Sequence, residues 1–426
     1  MSDFSAGTAT GYLDLLGKLV TFLSSTLTPS GERWTVLRYT GVDSITSSSY
    51  RTDYEDWMAI KGPYAMHSGG SWRTAVGSHA NCWLALHLVT ALDVRRLTIT
   101  GPATTTMAPK DFSLDYSADG VSWTTLQSWT GQTFTASQVR EFAVTATSPG
   151  AQSYWRLYIT SNNGHVDTTS ITTIGLPVWQ TTADFDHARL ASAWLKAPGL
   201  TGTDPAYINI ACYSRPSSDY YNWAITGGSG FVEAYNFDNQ PGCVAALGLP
   251  LWNSSIPYWF AADGQHLAVS VRIDGAGFAA WAGKMLPFAT PSQYPYPLVI
   301  AAPFATALGE KYSSANGDLP YRGNTGRLKL RKLDGTWAQP WTWPWWQNPS
   351  NYSSSKLFKD TGGDYPLLPI TLYDANNLFG ILQNVRYVPG FNQAIQNMIE
   401  VGSEDWIVFN YGGLSGMEDW YAQRYV

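Results

Sequence analysis

Near the start of the chain, Tyr12, Leu15, Leu16, Leu19, Val20, Phe22 and Leu23 recur at i, i+3, i+4 and i+7, which predicts an amphipathic helix over 12–23. Thr28-Pro29-Ser30-Gly31 stops it. The stripe formed by Leu15, Leu16, Leu19 and Leu23 has to be covered. The expectation is an assembly helix buried between chains or domains. From Trp34 the period changes to two. Phe112, Leu114 and Tyr116 share one face of a strand, Asp119-Gly120 supplies a turn with positive φ, and Trp123 and Leu126 restart the apolar pattern. A further strand is read at 154–160, followed by Ser161-Asn162-Asn163-Gly164. Beyond it, 206–213 and 219–225 read as strands, and 258–271 as a hairpin on Asp263-Gly264. The pattern predicts a mainly β protein with one N-terminal helix.

Composition sharpens this picture. The 426 residues leave room for two or three domains. Only 14% are charged, against about 25% in ordinary soluble domains, while 20 Trp and 25 Tyr bring the aromatics to 14%. Such a surface is made of Ser, Thr, Asn, Gly and ring edges, as in extracellular β-proteins, lectin-like modules and virion parts. A net charge of −6 argues against a phosphate-backbone partner. The one basic cluster, Arg327-Leu328-Lys329-Leu330-Arg331-Lys332, alternates with Leu and reads as the solvent face of a strand. Cys82, Cys212 and Cys243 are odd in number and lack metal spacing, so disulfides are optional. The N-terminus lacks the basic segment of a signal peptide, and Asp14 and Lys18 interrupt its apolar stretch. An extracellular composition without an export signal fits a particle assembled in a host cytoplasm and released by lysis.

Two resemblances add to this reading. The Ser117-x-Asp119-Gly120-x-x-Trp123 hairpin, followed by Tyr154-Trp155-Arg156-Leu157 and Asn162-Asn163-Gly164, resembles the last third of a discoidin-type, galactose-binding-like β-sandwich. Upstream, Ser71-Trp72-Arg73-Thr74, the 81–88 segment around Trp83 and the 94–99 segment are similar to that family's tryptophan turn and core strands. The resemblance covers roughly 40–180. It implies a jelly-roll sandwich whose ligands are held by loops at one end, and Tyr64, His67, Trp72, Asn163 and His165 suit glycan contact there. The opening 11–23 and the ordered C-terminal motifs, among them 194–200, 219–222, 291–297 and 391–394, resemble a family of tailed-bacteriophage virion proteins found at the tail tip. The resulting division is 1–39 for the helix and first strand, 40–182 for the sandwich, and 183–426 for a Gly-, Pro- and Trp-rich β body.

Candidate chemistry is sparse. Six histidines at 67, 79, 87, 165, 187 and 266 form no chelating pair, and no nucleophile elbow or phosphate loop is present. Asp184 with Asp186, Glu404 with Asp405 and Glu418 with Asp419 are adjacent acids that read as solvated. No catalytic residue, metal or cofactor is expected. Between 337 and 346 stand five Trp interleaved with Pro340 and Pro344, which excludes a helix or central strand and leaves a loop or edge segment. Trp341, Trp343 and Trp345 either present a stacking platform for sugar or a protein partner, or staple the segment onto its own domain. The reading reached is a non-enzymatic structural component of a phage tail tip or baseplate, located in the virion. It would be a homo-oligomer, a trimer before a hexamer, with other tail proteins as partners, host-surface polysaccharide as a further ligand, and no nucleic acid. Its rival is a secreted bacterial protein that binds or hydrolyses glycan.

Overall fold

The computed structural model describes residues 2–52, 54, 59, 71–176, 191–199, 204–215, 220–232, 235, 239–288, 298–305, 320–321, 326–343, 367–389, 398–410 and 419–425, apart from the side chains at 40–44, 89–90, 214–215, 220, 343, 389, 410 and 419–420. Among the described residues the protein is mainly β with one α-helix. Its chain forms two compact units: residues 39–192 with 233–237, and 1–38 with 193–232 and 238–426.

The 39–192 unit is a β-sandwich. Its larger sheet pairs Thr35–Ser47 with Cys82–Leu92, then Gln152–Asn162, Pro109–Ser117 and Thr124–Trp129, all antiparallel. The opposing sheet is Thr173–Gly175, Arg96–Thr100 and Val139–Ala143. Period-two alternation fixes the inward faces. Register places Leu84 beside Leu157, Leu86 beside Trp155, and Trp155 in turn beside Tyr116. These meet Leu97, Ile99, Phe142 and Ile174 of the opposing sheet in one core.

The expected hairpin turn is present. Gly120 has φ +73°, and Asp119 Oδ1 accepts from the amides of Val121 and Ser122 at 2.8 Å each. Those amides and the Ser117 hydroxyl pull the Asp119 carboxyl down to about 2. A Cβ at Gly120 would lie 2.9 Å from Tyr154 Cε1. Gly120→Ala therefore suffers both a disfavoured φ and a clash, and should lower stability by at least about 1 kcal/mol in denaturant melts.

In the other unit, one sheet runs Asp3–Ala9, Ile256–Ala262, His266–Ile273, Ala276–Lys284, Leu298–Ala301, Leu328–Arg331 and Trp337–Ala338. A second contains Trp341–Trp343, Leu368–Tyr373, Leu378–Pro389, Asp419–Arg424, Glu404–Asn410 and Met398–Val401. Trp281, Val299, Leu330, Leu372, Tyr387 and Phe409 join them in a common core. The helix, Tyr12–Thr21, continues as a wider π-type turn over Phe22–Thr26.

Leu15, Leu16, Leu19 and Leu23 are fully buried within the single chain. The Tyr12 ring lies 5.1 Å from that of Tyr221, Phe22 stacks on Phe260 at 6.0 Å, and Trp223 Nε1 donates to the Tyr12 carbonyl at 2.9 Å. The stripe is thus covered by strands of its own unit. A second chain is not needed to bury it, which corrects the assignment of these leucines to subunit assembly.

The second Asp-Gly hairpin works differently from the first. Gly264 does not adopt positive φ. Instead Asp263 Oδ1 accepts from the amides of Gln265 and His266 at 2.8 and 3.1 Å. His266 is fully buried, with Nδ1 3.0 Å from Asp263, Nε2 2.8 Å from Asn384 Nδ2, and its ring stacked on Trp281. Burial alone would raise the Asp263 carboxyl, but the neighbouring His266 and the amide donors override it and hold it at about 2. A depressed folded-state value means the contribution is complete above about pH 4, the unfolded range, and disappears as pH falls through about 2. The melting-temperature gap between the protein and Asp263→Asn should therefore shrink steadily as pH is lowered across that window.

Candidate functional site

At one end of the sandwich, Cys82 pairs with Ile159 and Pro109 with Asn162, so the loops 71–81, 101–108 and 163–169 emerge together. Backbone bonds tie them: Thr74 N to Thr169 O at 3.0 Å, Gly77 N to Asp167 O at 2.9 Å, and His165 N to Thr106 O at 3.1 Å. Thr169 Oγ1 donates to the His79 carbonyl at 2.6 Å. Residues 48–51 join the same end, with Ser48 N donating to Trp83 O at 3.0 Å and Arg51 N to Arg73 O at 2.9 Å.

Of the residues expected here, Tyr64 and His67 lie outside the described residues. Trp72 is fully buried in the sandwich core, and its Nε1 donates to the Ser49 carbonyl at 3.1 Å. It cannot touch a ligand from there. In a two-residue strand, alternation turns Trp72 inward and its neighbour Arg73 outward. Asn163 is half-buried, with Nδ2 donating to the carbonyls of Ala108 and Pro109 at 3.0 and 3.2 Å. His165 Nδ1 accepts from the amides of Asp167 and Thr168 at 3.2 and 3.1 Å, which assigns the ring proton to Nε2. Asn163 is therefore a brace, while His165 caps a turn and keeps one N–H to offer.

The structure adds residues that sequence reasoning did not single out. Arg51 is exposed. The Arg73 guanidinium sits 4.1 Å over the Tyr54 ring. His79 is half-buried, and its Nδ1 has no hydrogen-bond partner among the described residues. Val76 and Val166 stand exposed beside them. The end thus combines cationic donors, an aromatic ring and small apolar surfaces, the components that hold a polyhydroxylated ring.

The Trp-rich segment lies in the other unit. It forms edge strands, as its prolines require. Trp341–Trp343 pairs with Leu368–Tyr373, and the Trp341 ring meets Tyr373 edge-on at 5.6 Å. Trp337 Nε1 donates to the Gly242 carbonyl at 2.9 Å. The described part is stapled to its own unit. Trp343 contributes its backbone to the pairing with Thr371, and Trp345 lies outside the described residues. Among the described residues, no cluster of His, Cys, Asp and Glu could hold a metal, and no helix is long and apolar enough to cross a membrane.

Comparison with known proteins gives this fold its class. Residues 44–174 match the family model of the F5/8 type C domain, and the sandwich is of that discoidin-like type. Among solved structures, it is similar to the F5/8 type C domain of a Bacteroides fragilis protein, at 15% identity over 34% of this chain and 95% of that one, with a TM-score of 0.27. It is also similar to chitosan-binding module 1 of a chitosanase/glucanase from Paenibacillus sp. IK-5, at 21% identity over 31% of this chain and 91% of that one, with a TM-score of 0.25. A third is the family 32 carbohydrate-binding module of C. perfringens NanJ, in complex with galactose, at 19% identity over 32% of this chain and 97% of that one, with a TM-score of 0.25. No curated protein matches the chain.

Proposed function

We propose that this protein is a non-catalytic attachment component, in which the discoidin-like module holds host-surface glycan at the loop end. The observation that carries this reading is the convergence of Arg51, Arg73 over Tyr54, His79 and His165 on one end of an F5/8 type C sandwich. A pyranose offers hydroxyls to the cationic donors and an apolar face to the ring and the valines. The galactose and chitosan named for similar modules agree with that chemistry.

The same proposal places the chain in a tailed-phage virion, at the tail tip or baseplate, with other tail proteins as partners and a closed homo-oligomer, a trimer in the first instance. Its support is the ordered set of C-terminal motifs and the sparsely charged, aromatic composition. The four helix leucines are not offered as the oligomer contact.

Affinity electrophoresis in host surface polysaccharide tests the binding. Retardation of the protein, reduced at least about tenfold in affinity in Arg73→Ala/His79→Ala, or about 1.4 kcal/mol, is expected. Equal retardation of protein and variant would overturn the loop-end assignment. Reducing sugar released from the polysaccharide would overturn the non-catalytic one. Antibody-gold labelling of virions should mark the tail tip, and label confined to the capsid would remove the tail assignment.

A further inference from the structure

We infer that the outer face of the module's larger sheet is a second saccharide site, separate from the loop end, and that it takes an uncharged oligosaccharide laid across the strands. Three rows of residues define it. Trp83 pairs with Tyr158 and Tyr158 with Ser113; Ala85 pairs with Arg156 and Arg156 with Asp115; His87 pairs with Tyr154 and Tyr154 with Ser117. Within each strand these residues alternate with the core residues Leu84, Leu86, Trp155 and Leu157, so all of them face outward.

The first and third rows are aromatic, and the His87 and Tyr154 rings stack at 4.3 Å, 8° from parallel. The middle row is small except for Arg156. Four residues along a strand separate the aromatic rows by about 13 Å. The result is a sheet face edged by rings on both sides, with Arg156 lying over the buried Asp115 between them. Trp83, His87, Trp123, Tyr154 and Tyr158 are all half-buried, leaving part of each ring open.

Arg156 decides the class of ligand. Its Nε and Nη2 donate to Asp115 Oδ2 at 3.0 and 2.7 Å, and its guanidinium lies 4.6 Å from the Trp123 ring and 5.2 Å from the Tyr158 ring. Asp115 is almost fully buried, and its Oδ1 is taken by the hydroxyls of Ser113 and Thr125 at 2.8 and 3.0 Å. The positive charge is therefore neutralised from below. Among the described residues the remaining guanidinium N–H groups have no acceptor, and the side chain is 20% exposed. A neutral pair that presents rigid N–H donors between aromatic rings suits hydroxyl and ring oxygens rather than a carboxylate or sulfate. Ala85 is the only aliphatic residue among the nine, which disfavours an apolar protein partner.

Titration calorimetry of the full chain with cellohexaose, mannohexaose and chitohexaose tests this. At least one should bind, with an affinity that varies less than twofold between low and moderate salt. Trp123→Ala should weaken it at least tenfold. Ala85→Gln, which adds bulk on the outer face beside Arg156, should do the same, and its melting curve, run alongside, separates lost binding from lost folding, so the test survives if Trp123→Ala misfolds. Arg73→Ala/His79→Ala should leave this binding intact. The inference is overturned if none of the three binds, if binding persists in Ala85→Gln, or if it is lost only in the loop-end variant. The last result would leave the loop-end proposal standing alone.

Discussion

Trp155→Ala is expected to abolish the folded module. The indole is fully buried, lies between Leu86 and Tyr116 in the register of the larger sheet, and donates through Nε1 to the Gln152 carbonyl at 3.0 Å. Its removal leaves a large cavity and an unpaired carbonyl, a loss of about 3–5 kcal/mol. Domains of this size are stable by only about 5–15 kcal/mol. Calorimetry of the full chain should show one transition moved down by many degrees or missing, with the other in place. Trp123→Ala, at a half-buried ring, should be far milder. A Trp155→Ala protein melting like the unaltered one would mean that this sandwich does not depend on its central tryptophan.

Leu16→Asp should be as damaging in the other unit. The side chain is fully buried among strands of its own unit, so a carboxylate there would be cut off from water, a cost of several kcal/mol on top of the lost packing. Leu16→Ala, which loses only packing, should cost about 2–5 kcal/mol. Because the leucine is covered within one chain, the loss should not depend on protein concentration in denaturant titrations. A strong concentration dependence would show that the helix stripe is instead completed by a second chain.

Period and turn chemistry carried much of the fold in advance. The helix was readable because its apolar spacing is local, and the Asp119-Gly120 turn because its demand for positive φ is local. Proline likewise confined the Trp341 region to an edge. Contacts made across long stretches of chain were not readable. Ser113, Asp115 and Ser117 have the pattern of a solvated strand face, yet all three are buried, roofed in part by Arg156, 41 residues from Asp115.

The site was less legible for a related reason. Asn163 and His165 have the residue types of a ligand shell, but neighbouring backbone groups occupy Asn163 Nδ2 and His165 Nδ1. The sequence suits Trp72 both to the core and to ligand contact, and only its full burial against Ser49 decides for the core. Arg73 is legible only through its alternation with a buried Trp72.

The separation in sequence between the helix and the strands that cover it bears on how the chain is made. Tyr12 accepts from Trp223, 211 residues later, and Phe22 stacks on Phe260. Between them the whole 39–192 unit is encoded. At about 5–20 residues per second, the ribosome leaves the greasy face of the helix without its partners for roughly ten seconds or more, while the sandwich emerges ready to close. Nascent chains that have left the ribosome as far as residue 190 should therefore carry a protease-resistant sandwich and a helix still open to chaperones, and resistance of the helix should arise only once residue 260 has emerged.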